Sequence, residues 1–548
     1  MLTADPDADL EFSLAEMRRQ RKRKRLADVH IIDALYRADL TALVGGGAIY
    51  ALAGAIGDTP LNAGQLDSVT AHGAGWLGLA MAFAVAIGLR SGSRGGPLVL
   101  EQAEVRHVLL APVDRTTAVR GPALRQVRFL VFVAILVGAV VGILTARRLD
   151  GNAAAWTACG ALYAAVAVTV SYGAALCAAA WRLPSWIGTT IGAALVALAL
   201  VDGLDVVNLS PLTAWGEIGM WPEGFGLLGL AALVVSVTVL LVGFVRVGDL
   251  SVEAAERRST LVGQLRFAAT LQDLRTVIVL RRQLAIELPR LRPWLRLPVR
   301  GTGRLPVWTR DWRGILRWPA ARVGRLALLA VSAGLALRGA WEGTTPLLGL
   351  AGVALFIAGL DAVEPLAQEV DHPSRAETIP VERGVVHVRH LPAAVAVMVL
   401  VAIVGAAVAL ALEPSVGGLA VAAVCVVPAA LGGVAGAVTS VLSDPVLGGG
   451  GDAWALVAPE AAGMRLVMRT AWPPALAIGG TLPLLAARSA AEHNTSAVGA
   501  ALTASILVVA VFALVVGWVR WRDDLHAAIE RALPSKPEPG AKDRTRET

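Results

Sequence analysis

PLVLEQAEVRHVLLAPVDR, residues 97–115, has a counterpart in PLAQEVDHPSRAETIPVER, residues 365–383. Pro97-Leu98, Glu101 and Pro112-Val113-Asp114-Arg115 match Pro365-Leu366, Glu369 and Pro380-Val381-Glu382-Arg383, every position 268 residues further on. Each copy follows a second long apolar run and precedes a third. A constant offset of about half the chain is the mark of a duplicated unit. It also puts one polar element at the same point in both halves, where it would face the same side of a membrane.

The surrounding composition supports a membrane reading. The 548 residues are 56% hydrophobic with mean hydropathy +0.63, and the apolar residues come in runs of about 20 rather than in amphipathic stripes. The expectation is an all-α polytopic membrane protein with about 12 transmembrane helices in two repeated six-helix halves. The runs lie near 39–57, 73–90, 127–146, 154–180, 185–202 and 225–246, then 323–340, 346–364, 391–412, 416–442, 471–488 and 497–519. The 154–180 and 416–442 runs exceed a bilayer's thickness and should tilt or project.

Arginine placement gives an orientation. Loops 58–72 and 203–224 hold no Lys or Arg, whereas 91–126 carries Arg94, Arg106, Arg115, Arg120 and Arg125, and 247–322 is denser still. The positive-inside rule then places both termini in the cytoplasm of a multi-pass cell-membrane protein. Arg147 and Arg148 run against the rule, but they end a span, where long side chains reach the headgroups. The expected organisation is a basic cytoplasmic N-terminus with interfacial helix (1–38), a first six-span half (39–248), a basic linker (249–322), a second six-span half (323–520) and a cytoplasmic tail of disorder composition (521–548). The polar first 38 residues do not read as a signal peptide.

Within the linker, Leu261, Leu265, Leu271, Leu274 and Ile278 recur at helical spacing among arginines, and Pro289, Pro293 and Pro298 stop that helix. Trp308, Trp312 and Trp318 interleave with Arg310, Arg313 and Arg317, a mix suited to a helix at the lipid headgroups, with membrane lipids as partners. The net charge of +7 is concentrated in these membrane-proximal segments, so no nucleic-acid partner is expected.

The chemistry-bearing motifs are few. Cys159, Cys177 and Cys425 fall in apolar runs and read as packing residues. His372, His387 and His390 with Asp371 share one segment, but surface histidines are the default reading and no metal is expected there. Gly448 to Gly451 precede Asp452 with no lysine to reach a phosphate, and no phosphate loop occurs elsewhere. Asp202, Asp361 and Glu364 lie near span ends, where water would solvate them. Gly138 with Gly142 and Gly432-Gly433 with Gly436 allow close helix approach, as does Gly45-Gly46-Gly47. In the repeated element, Leu100, Val105, Val108 and Leu109 line one side of a short helix over 98–111, and Glu101, Glu104, Arg106 and His107 line the other. Pro373 should shorten the second copy. The repeat favours docking of a partner at both copies over an ordinary turn.

Glu101 through Arg120, above all Leu109-Leu110-Ala111-Pro112-Val113-Asp114-Arg115, resembles the segment between the second and third spans of ABC-2-type exporter permeases. Residues 210–215, Ser-Pro-Leu-Thr-Ala-Trp, resemble the outer segment between spans five and six of that family. The short Ser489 to Ser496 loop has no such match. The resemblance implies a permease subunit of an ABC exporter with no enzymatic activity of its own. ATP and Mg would bind a separate ATPase subunit, in two copies, docking on coupling elements at Glu101, Glu104, Arg106, Pro112, Asp114 and Arg115, and at Glu369, Pro380, Glu382 and Arg383. The alternative is an integral membrane scaffold or membrane enzyme that recruits a partner through the basic linker.

Overall fold

A computed structural model of the chain describes residues 63–100, 105, 109, 114–149, 151–203, 211–260, 290–296, 306–372, 380–412, 414–442 and 471–532, with 16, 19 and 20. Among these no strand forms. The chain divides into two units, Met1–Phe267 and Ala268–Thr548, with the boundary inside the expected linker.

The first unit contains α1 (Ala63–Gly92), α2 (Arg115–Thr145), α3 (Ala153–Ala180), α4 (Ser185–Gly203), α5 (Thr213–Met220) and α6 (Leu228–Val245). The second contains α7 (Pro306–Ile315), α8 (Ala320–Trp341), α9 (Leu347–Ala362), α10 (Glu364–Asp371), α11 (Arg383–Leu412), α12 (Val416–Leu442), α13 (Leu482–Glu492) and α14 (Ala497–Ala532), with a further helical segment at 471–479. Among the described residues nine helices are long and apolar enough to cross a bilayer: α1, α2, α3, α4, α6, α8, α11, α12 and α14. An apolar helix satisfies its own backbone, which is why such runs adopt this state in lipid.

Two expected spans differ, and a third cannot be compared. The 39–57 run lies outside the described residues. The 346–364 run ends as α9 and bends by 57° into α10, because Pro365 cannot continue the α9 hydrogen-bond ladder and instead serves the first turn of a new helix. The 471–488 run is broken: Gly480 and Thr481 form a turn between 471–479 and α13. Pro483 explains the break, since its ring would clash with the carbonyl four residues earlier, at Gly479.

The two units share a packing pattern. In the first, α3 packs on α1, α2 and α6; in the second, α12 packs on α9, α11 and α14. These two are the most buried of the apolar helices, at 50% and 67% of their apolar windows. Glycine permits the approach. A Cβ at Gly92 would strike the Ala175 carbonyl oxygen across α1–α3, and one at Gly359 would strike the Gly433 carbonyl oxygen across α9–α12. The expected close approaches at Gly138 and Gly142 occur against α3, and those at Gly432 and Gly436 against the 471–480 segment.

Between α4 and α6 of the first unit, α5 folds back into the bundle. Trp215 Nε1 donates to Ser236 Oγ at 2.7 Å and Glu217 Oε2 accepts from the Gly229 amide at 3.1 Å. The outer segment read from sequence is therefore a packed helix in its described part.

Candidate functional site

The first copy of the repeated element begins where α1 stops. Gly95 and Gly96 adopt φ of 114° and 90°, a left-handed conformation costly for other residues, and turn the chain into Pro97. Residues 98–100 are not helical, contrary to the helix expected from 98; side chains engage the backbone here, Gln126 of α2 bridging Pro97 and Val99. Its Nε2 donates to Pro97 O at 2.9 Å and its Oε1 accepts from the Val99 amide at 3.1 Å. On the other side, Ser259 Oγ donates to Leu100 O at 2.5 Å. Leu98, Leu100, Val105 and Leu109 are buried against Ala118, Val119 and Ala123 of α2 and against Val247 and Ala255. The apolar face read as Leu100, Val105 and Leu109 is thus a packed face; Val108 lies outside the described residues, as do Glu101, Glu104, Arg106 and Pro112.

Asp114 caps α2, its carboxylate accepting from the Thr117 amide at 2.9 Å and from Thr117 Oγ1 at 3.0 Å. Those two bonds hold its carboxyl below the usual carboxylate range. Arg115 and Arg120 are exposed beside it. Behind the element, Arg258 is lowered by burial from the usual guanidinium range while its NH1 reaches Ser91 Oγ at 3.5 Å.

The second copy is built differently. α10 spans Glu364–Asp371 and stops at His372, one residue before Pro373, as expected. Glu369 was expected to face a partner; instead its side chain is 1% exposed and accepts from Arg310 NH2 of α7 at 2.9 Å. The reason is geometric: on an eight-residue helix with Leu366 and Ala367 in the core, Glu369 shares the inward face. The same Arg310 NH2 lies 3.3 Å from His390 Nε2 on α11. Arginine only donates, so Nε2 accepts and Nδ1–H donates to Asp311 Oδ2 at 2.7 Å. Asp311 and His390 side chains are each 1% exposed. One network therefore ties α7, α10 and α11 together; Asp311 Oδ1 and Glu369 Oε1 accept no hydrogen bond, Oδ1 lying 3.9 Å from Arg310 Nε as an ion pair.

Trp308 and Trp312, 5.7 Å apart edge to face, pack α7 on the core of this unit. The tryptophans expected at the headgroups are therefore partly protein contacts. Asp361 and Glu364, expected to be water-solvated, are instead paired: Arg325 forks onto Asp361 at 2.8 and 2.7 Å, and Arg322 donates to Glu364. Two low-exposure carboxylates near an apolar helix end need such partners. Pro380, Glu382 and Arg383 are exposed at the start of α11. Glu382 accepts from Arg520 NH1 of α14 at 2.6 Å, and that hydrogen bond holds its carboxyl below the usual range.

The matched positions coincide in structure: α2 begins at Arg115 and α11 at Arg383, 268 residues apart. In each unit the segment after the last apolar helix, or its end, touches the repeated element, through Ser259 in one and Arg520 in the other. Residues 447–469 and the linker stretch 261–289 lie outside the described residues. His372 is exposed and bonds the Gln368 carbonyl, not His390. Among the described residues no group of three or more His, Cys, Asp or Glu has the geometry of a metal site.

Gln126 and Asp311 were not singled out in the sequence; His390 was, as a surface histidine grouped with His372 and His387, and is instead buried on α11 against Asp311. Asp311 was the lone acid in the Trp/Arg stretch, and an isolated acid among arginines was the available signal. No protein-family model, curated protein or solved structure matches the chain.

Proposed function

We propose that this chain is the membrane-spanning permease subunit of an ABC-2-type exporter, formed by two fused six-span halves with both termini in the cytoplasm. A separate ATPase, two copies per chain, docks on the elements around 97–120 and 365–389. The observation that supports this most is that both elements are anchored to several helices at once while leaving an exposed edge. That edge is Asp114, Arg115 and Arg120 in one unit and Pro380, Glu382 and Arg383 in the other.

Such anchoring turns a push on the element into movement of helices. In the second unit, the Arg310–Glu369 and Asp311–His390 bonds make α7, α10 and the start of α11 move together. In the first, the Gln126 clamp couples residues 97–99 to α2. Glu369 acts from behind the docking edge, not on it. ATP hydrolysis belongs to the partner, and this chain binds and conducts the substrate.

The test is a gentle detergent pull-down of the tagged full chain from native membranes. Recovery of a phosphate-loop ATPase at about two copies per chain, lost in Arg115→Glu while that variant stays monodisperse in the membrane, supports the reading. No ATPase under conditions that preserve a known ABC complex defeats it, and normal association of Arg115→Glu removes docking at that site.

A further inference from the structure

The break at Gly480-Thr481 borders a cavity of about 130 Å³ inside the second unit. We propose that this cavity holds the alkyl chain of a single-chain amphiphile. Irregular backbone within an apolar bundle persists where it is buried in protein or lines a cavity, and in membrane bundles broken helices commonly mark binding sites. The cavity arises because α8, α11 and α12 face one another with small residues there: Ala333, Ala402, Gly405, Ala406, Ala422 and Ala429. Larger side chains at these positions would close it.

Shape and chemistry select the occupant. The α8 wall runs from Ala333 to Trp341, about 12 Å at 1.5 Å per residue. The inner end is lined by Leu355 and Ala429, and the other by Trp341, Leu410 and Gly418, at the end of α11 and the start of α12. A site this long and of this volume accepts one chain.

The polar groups sit where a headgroup would be. Arg338, bonded to Glu342 at 2.7 Å, and Ser415 line the cavity toward that second end. Deeper, the Thr481 hydroxyl is engaged with the Ile478 carbonyl at 2.7 Å. An ionised group pushed to the Leu355 end would lose its hydration without compensation, whereas a methylene chain loses nothing there. The site is a property of the second unit alone and stands whether or not the chain is a permease.

Its test uses the purified full chain in nanodiscs of diacyl phosphatidylcholine, with dodecanol carrying a photoreactive diazirine at its far end. Cross-links are expected within residues 402–429, suppressed tenfold or more by excess unlabelled dodecanol. Ala406→Phe, checked for monodispersity, should lose them to the same degree while labelling of the exposed α2 face around Phe132 persists. A second measurement needs no filled cavity. In a Cys159→Ser/Cys177→Ser background, maleimide labelling of Cys425, which lines the cavity, should slow at least fivefold with dodecanol and not with glycerol. Cross-links that are not suppressed by dodecanol, or unchanged Cys425 labelling, overturn the proposal. Saturable labelling of 402–429 by a phosphatidylcholine with a diazirine on its acyl tail overturns the single-chain assignment.

Discussion

Replacing Arg310 by Met should destabilise the second unit through two carboxylates that it leaves behind. Glu369 and Asp311 are each 1% exposed, each has one oxygen with no hydrogen bond, and Arg310 is ion-paired with both, to Glu369 Oε2 at 2.9 Å and to Asp311 Oδ1 at 3.9 Å. Met keeps the length and apolar stem of the side chain but removes the donor to Glu369 Oε2 and the donor to His390 Nε2. Breaking a buried pair from one side costs about 3–5 kcal/mol. Arg310 is itself 41% exposed, so water screens part of its attraction, and about 2–3 kcal/mol is the appropriate range. For a unit of this size roughly 2–4 °C of melting temperature accompanies each kcal/mol, giving a fall of about 4–12 °C. The assay is the monodisperse fraction of detergent-solubilised protein after heating at a fixed rate. Arg310→Met/Glu369→Leu should recover at least half of the loss, because an apolar pair carries no stranded charge. A shift under about 2 °C, or a double variant no more stable than the single one, would refute the reasoning.

Asp114→Ala removes the α2 cap and should cost about 1 kcal/mol at neutral pH, read as roughly fivefold faster hydrogen exchange at the Thr117 amide, with Asp114→Asn largely normal. Because the folded carboxyl is held below its ordinary value, this contribution is full above the usual carboxylate range and is lost as pH falls through the folded value. The difference between wild type and Asp114→Ala should therefore shrink below about pH 4. Gly92→Ala should destabilise the first unit by about 1–3 kcal/mol because the new Cβ meets the Ala175 carbonyl, whereas Gly324→Ala, with open space around it, should be neutral or stabilising; melting temperatures of the two variants decide.

Much of the helix inventory was legible in the sequence. Nine of the twelve apolar runs correspond to helices long enough to cross a bilayer, and the matched Arg115 and Arg383 each begin one. Both breaks fall at prolines visible beforehand, Pro365 and Pro483, yet hydropathy averages over them. The candidate docking element was legible as a repeated motif, and its apolar face at Leu100, Val105 and Leu109 proved to be buried. The role of Glu369 was not. Its charge resembled that of an exposed residue, and only its position relative to Arg310 revealed otherwise.

Hydropathy, proline and the 268-residue offset are properties of consecutive residues, and they sufficed for the all-helical class and the placement of the polar elements. The tertiary structure decided which polar groups meet. Arg310 lies 59 residues from Glu369, and Asp311 79 residues from His390. Whether such groups face each other depends on how each helix is rotated about its axis. That rotation is set by contacts such as Gly359 against Gly433, where two backbones touch and no other residue would fit.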